Sequence, residues 1–182
     1  VSVGGLPDGI VDTDMLAADA VTAPKIGSKT FTSYAIIRDQ KSGAHGGTFT
    51  SGAWRTRDLN TEVADDDGIV SISSNQFTLQ AGTYLIKVIA PAYEAEHHQN
   101  RLYNITDSSV VDTGSSAFTN TSSYVVTNSI LSTRFTITGA KVFEVQHQTN
   151  STKSSTGFGV RSSEGFTTAA DIYTIVEIYK EA

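Results

Sequence analysis

The sequence predicts an all-β chain folded as a two-layer sandwich of the jelly-roll type. Runs of β-branched and aromatic residues, alternating or continuous, are separated along most of the chain by clusters of Gly, Asn, Asp and Ser. Ser and Thr together number 45 of the 182 residues, so the surface is polar more through hydroxyls than through charge, a balance that favours strands over helices. No long helical pattern competes with these runs.

The runs place strands at about 31–39, 48–60, 69–79, 83–93, 97–105, 109–117, 123–137, 141–149, 157–161 and 171–180. Turn signals fall at Gly46-Gly47, Asp67-Gly68, Ala81-Gly82, Gly139 and Gly157, where the chain must reverse and where glycine reaches positive φ at least cost. Short strands with this punctuation suit a jelly roll. The chain contains no cysteine, so stability rests on packing, and no thiolate is available as nucleophile or ligand. The formal net charge of -6 supplies no basic footprint for nucleic acid. No apolar run reaches the roughly 20 residues that span a bilayer, so neither nucleic-acid binding nor membrane insertion is expected.

Two strands carry more information than fold class. A sandwich strand shows one apolar face to the core and one polar face to water. The run "DIYTIVEIYK" departs from this pattern. By strict alternation Ile172, Val176 and Ile178 share one face, while Tyr173, Ile175 and Tyr179 share the other, interrupted only by Glu177. In "TYLIKVIAPAY", Tyr84, Ile86 and Val88 lie opposite Leu85 and Ile89. A second apolar face needs a cover. Sister subunits or long loops of the same chain could supply it, and the economical expectation is a homo-oligomer with Tyr173, Ile175, Tyr179, Leu85 and Ile89 in the contact.

Residues 1–27 read as a separate shaft or anchor, ahead of a head domain at 28–182. Aligned with an offset of eleven residues, "DGIVDTDML" and "DAVTAPKIG" place Asp8 with Asp19, Ile10 with Val21 and Met15 with Ile26. This is an imperfect internal repeat. Such short units cannot bury Ile10, Met15, Val21 and Ile26 alone, and Pro24 resists a continuous helix. Three chains wound together would bury the four side chains; alternatively, the segment is a linker or docks on another protein.

The unit "ADAVTAPKIG" resembles the shaft repeats of bacteriophage tail and head fibres. Residues 34–180 resemble the distal domain of phage fibre proteins, a trimeric jelly roll similar in outline to the C1q and tumour necrosis factor heads. The carrying segments are "YAIIRDQKSGAHGGTFTSGAWRTRDLNTE", "NQFTLQAGTYLIKVIAPAY", "HQNRLYN", "GFGV" and "YTIVEIYK". The resemblance implies a homotrimeric head on the surface of a virion, attached to other virion proteins through residues 1–27 and recognising a host-surface glycan or protein. Two settings stay open: the tip of a tail fibre, or a head fibre or decoration protein seated on the capsid. A secreted eukaryotic head is a third, in which Asn104, Asn120 and Asn150 would head glycosylation motifs.

Signals for catalysis and metals are thin. His97 and His98 are adjacent, so in a strand they point to opposite faces and cannot chelate one ion together. The run Asp65-Asp66-Asp67 lacks the alternating ligands of a calcium loop and reads as a solvated turn. No nucleophile elbow, H-E-x-x-H or P-loop occurs, and the expectation is a non-enzymatic protein without cofactor or metal. Binding has better candidates in the long segments 106–124 and 149–171, which carry Phe118, Tyr124, Phe158 and Phe166 among Ser, Thr, Asn and Gly. Loops held at one end of a rigid sandwich commonly carry recognition. Arg55 and Arg57 are expected on one strand face, fit for inter-chain carboxylates or ligand, and Trp54 in the core.

Overall fold

A computed structural model describes residues 31–162 and 170–182, and among them no helix occurs. The strands are β1 (Phe31–Ser42), β2 (Arg55–Thr56), β3 (Thr61–Ala64), β4 (Val70–Ser73), β5 (Gln76–Leu79), β6 (Gly82–Tyr93), β7 (Glu96–Asn104), β8 (Ser109–Thr113), β9 (Ala117–Thr119), β10 (Val126–Ile137), β11 (Lys141–Thr149) and β12 (Ala170–Glu181). They form two antiparallel sheets. The first runs β10-β6-β12-β1-β3; the second runs β4-β5-β11-β7-β8, with β2 also beside β11 and β9 beside β7.

The core fills the space between the sheets. Ala35, Ile37, Tyr84, Ile86, Val88, Leu131, Val176 and Ile178 point in from the first sheet and meet Phe77, Leu79, Leu102, Phe143 and Val145 from the second. Alternation generates this layer, since each contributing strand turns every second side chain inward. Phe77 stacks on Phe143 with ring centroids 5.7 Å apart, and Phe135 closes on Phe143 at 5.4 Å. The one polar tip of this layer, the Tyr84 hydroxyl, donates to the Gln80 carbonyl at 2.9 Å.

Several expected strands divide. The run 69–79 is two strands joined at Ser74-Asn75, whose φ angles of 53° and 64° suit a tight turn of the mirror-image class. The region 48–60 is mostly irregular, pairing only at Phe49 and Arg55–Thr56, with β3 following it. The run 109–117 breaks into β8 and β9, and 157–161 forms no strand. Instead the backbone of 153–159 lies against that of 46–49, with Phe49 and Lys153 exchanging both hydrogen bonds and the Phe158 amide donating to the Gly47 carbonyl. The segment assignment of residues 1–27, with Ile10, Met15, Val21 and Ile26, falls outside the described residues, as does Phe166.

Candidate functional site

The outward face of the first sheet gathers four of the five residues expected in a subunit contact. Register sets Ile175 opposite Ile89 and Tyr179 opposite Leu85, continues the rows to Tyr34 on β1, and adds Ile130 on β10 opposite Ile89. All remain partly exposed in a single protomer, with Tyr34 at 50% and Ile130 at 45%. Between the two apolar rows lies a single cross-strand ion pair, Lys87–Glu177 at 3.7 Å. Arg134 closes one end through a bidentate pair with Glu181 at 2.6 and 2.7 Å.

Tyr173 is a correction. It lies inside the protomer, 5% exposed, and its hydroxyl donates to the Ala44 carbonyl at 2.7 Å. The cause is a β-bulge: Arg38 pairs with Ile175 but Gln40 with Ile172, so β12 carries one residue more than β1 and alternation breaks there. Tyr173 and Thr174 both turn inward, and Ile172, expected on the core side, is 41% exposed on the outward face.

The bulge serves a buried polar bolt. Arg57 is fully buried and its guanidinium donates to Thr174 Oγ1 at 2.6 Å, the Pro91 carbonyl at 3.1 Å and the Phe158 carbonyl at 2.9 Å. It also sits 4.1 Å over the Phe158 ring. Burial pushes its pKa down to about 9, against the attraction of Asp39 and Asp58, so it is charged at neutral pH. Arg57 therefore ties irregular backbone together within one protomer and does not share an outward face with Arg55, whose side chain donates to the Thr50 carbonyl.

His97 and His98 point oppositely: His97 is exposed and His98 buried. His98 Nδ1 lies 3.0 Å from His147 Nε2, and His98 Nε2 lies 2.9 Å from Thr127 Oγ1. His147 Nδ1 is buried without a hydrogen-bond partner. An orphaned N–H is rarer and costlier than an orphaned lone pair, so His147 donates from Nε2 to His98, which donates from Nε2 to Thr127. Burial, with Arg57 nearby, pushes His98 down to about 4 and holds His147 well below the ordinary imidazole range. Among the described residues no three His, Asp or Glu side chains are placed to hold a metal ion. The Asp65 carboxylate instead accepts from the Ile69 and Val70 amides, at 2.7 and 3.0 Å, and so closes the turn.

The loop aromatics separate. Phe118 is 49% and Tyr124 is 84% exposed. Phe158 is buried, packed 4.6 Å from Phe49, because it plugs the sandwich end under Arg57; it is not available to a ligand. Trp54, expected in the core, lies on the outward side of the second sheet with the Arg101 guanidinium 4.0 Å over its ring. The signal that places it is the alternation in "HHQNRLYN": Asn100 and Leu102 turn inward and Gln99, Arg101 and Tyr103 outward, which makes that outer face polar and aromatic. Asn104 is buried and donates to Asp107, so its amide is already engaged.

No protein-family model matches the chain, and no curated protein matches its sequence. Solved structures do. The globular domain of zebrafish complement 1qA is similar at a TM-score of 0.50 and 11% identity, covering 82% of this chain and 97% of that one. Murine APRIL, in its pH 5.0 crystal structure, is similar at 0.51 and 8%, covering 81% and 98%. The PRD1 vertex protein P5 is similar at 0.51 and 13%, covering 83% and 98%. The fold is therefore the jelly roll of the C1q and tumour necrosis factor type.

Proposed function

We propose that this chain forms the homotrimeric head of a virion fibre protein, a non-catalytic adhesion module that recognises a host-surface receptor at the tip of a tail fibre. The observation that carries the reading is the outward apolar face of the first sheet. Tyr34, Leu85, Ile89, Ile130, Ile172, Ile175 and Tyr179 are more than a solvated sheet face requires, and in strands buried on both sides such continuous apolar runs are the rule. A threefold arrangement of copies would close these faces on one another and leave the polar outer face of each second sheet to solvent. The fibre resemblance of the sequence points the same way. Similarity to a vertex protein, PRD1 P5, favours a second setting, a capsid-anchored head fibre or decoration protein with the same head, held through residues 1–27.

The test is native mass by light scattering in dilute solution. Three times the protomer mass of 19.4 kDa is expected, and one protomer mass overturns the reading. Ile175→Asp places an unpaired carboxylate in the contact, at a cost of about 3 kcal/mol or more per buried charge, and is expected to yield folded monomers.

A further inference from the structure

The outward face of the second sheet holds a groove that the apolar face does not explain. One hollow, of about 570 Å³, lies between residues 51–54 and the end of β11 and includes Trp54 in its wall. A second, of about 170 Å³, lies beside His97, Gln99 and Ser116. Gln148 and Asn150 line both, so the hollows adjoin across these two side chains and together make the groove.

Trp54 stands in the wall of the first hollow, and Phe118 stands next to His97 of the second. The indole of Trp54 is fixed by Arg101, which is itself held by its Nε donating to Gln146 Oε1 at 2.7 Å. Phe118 packs against His97 with centroids 4.9 Å apart. Between the rings the polar groups are amides, hydroxyls and the His97 imidazole, and among the described residues neither hollow is lined by Lys, Arg, Asp or Glu. A phosphate or an acidic chain would call for cationic forks here. An extended peptide would need a free strand edge, and β11 keeps β7 beside it through Thr149 and β2 through His147, so the edge left without a strand partner at residues 148–150 is too short to seat an added strand. What remains is a ligand whose flat C–H faces stack on rings while its neighbouring hydroxyls exchange hydrogen bonds with amides, each of which both donates and accepts.

We infer that this groove binds a neutral glycan chain, with Trp54 as the stacking platform, Gln148 and Asn150 as the hydroxyl readers, and Phe118 at the far rim. The inference rests on the adhesion reading above and names its ligand class.

Trp54 is the only tryptophan, so its emission reports on the groove directly. The probes are neutral hexasaccharides of glucose, galactose, mannose, rhamnose and N-acetylglucosamine, with a heparin hexasaccharide as the anionic counterpart. At least one neutral probe is expected to shift the emission saturably while the heparin fragment does not. By calorimetry, Trp54→Ala and Asn150→Ala should each weaken binding about tenfold or more, Trp54→Phe less, and Asp66→Ala on a remote exposed turn not at all. Asn150→Ala and Trp54→Phe keep the test valid should Trp54→Ala not fold. Silence across the neutral panel, preference for heparin, or affinity indifferent to these substitutions overturns the inference. A trimer that binds no probe refutes the groove alone, and a monomer that binds one refutes only the trimer.

Discussion

At the residue scale the buried imidazole pair gives the fold a defined response to acid. His98 and His147 are neutral in the folded chain, with His98 pushed down to about 4 and His147 held well below the ordinary value, both by burial first. In the unfolded chain both titrate near 6.5. Their folded values are depressed, so the unfolded state takes up more protons below pH 6.5. Stability is whole above that value and falls as pH drops toward 4, by about 1.4 kcal/mol per pH unit for each proton gained only on unfolding. Other groups act elsewhere: Glu94 and Asp107, lowered by hydrogen bonds from Lys153 and Lys141, contribute stability that is lost as pH falls through the ordinary carboxylate value toward their lowered ones, and Asp39, raised by burial, works in the opposite sense. Urea midpoints from pH 7.5 to 4.5 are expected to decline steeply in the chain as it stands and more gently in His98→Gln. An unchanged slope in that variant assigns the acid response to other groups.

At the scale of elements, the long strands were legible and the irregular ones were not, for a physical reason. β6, β10, β11 and β12 each carry an alternating or two-sided apolar pattern over most of their length, which local sequence records. The split at Ser74-Asn75 has no glycine to announce it, and the bulge in β12 is imposed by partners distant in sequence, Arg57 and Ala44. Trp54 and Phe158 exchanged their expected places for the same reason, since the burial of an irregular segment depends on what the fold brings to it. Gly159 shows how tight that meeting is. Its φ is +137° and a Cβ there would lie 2.3 Å from the Tyr173 ring, so Gly159→Ala must move both backbone and ring at a cost of about 3 kcal/mol. Gly43 has φ +62° with nothing near its missing Cβ, so Gly43→Ala should cost only about 1 kcal/mol. Urea unfolding of the pair measures the difference, and equal losses would show that the ring contact contributes nothing.

At the scale of the whole molecule the two layers differ: one sheet turns apolar rows outward, the face that the proposed trimer would close, and the other turns amides and aromatic rings outward. A trimer built this way presents three grooves at once, and its consequence is avidity. Once one groove holds a surface glycan, the others bind at an effective concentration fixed by the rigid head, and gains of about 10² to 10⁴ over a single site follow when the spacing permits simultaneous engagement. The trimer and the Ile175→Asp monomer should bind a soluble neutral hexasaccharide equally, because Ile175 lies on the opposite layer from Trp54 and Asn150. On a surface densely coated with the same glycan, the trimer should hold at least a hundredfold more tightly, chiefly through slower dissociation. Surface plasmon resonance on high-density and low-density glycan chips separates the cases. Equal binding on the dense chip would mean that the three grooves do not act together, and a difference for the soluble sugar would mean that the two layers are not independent.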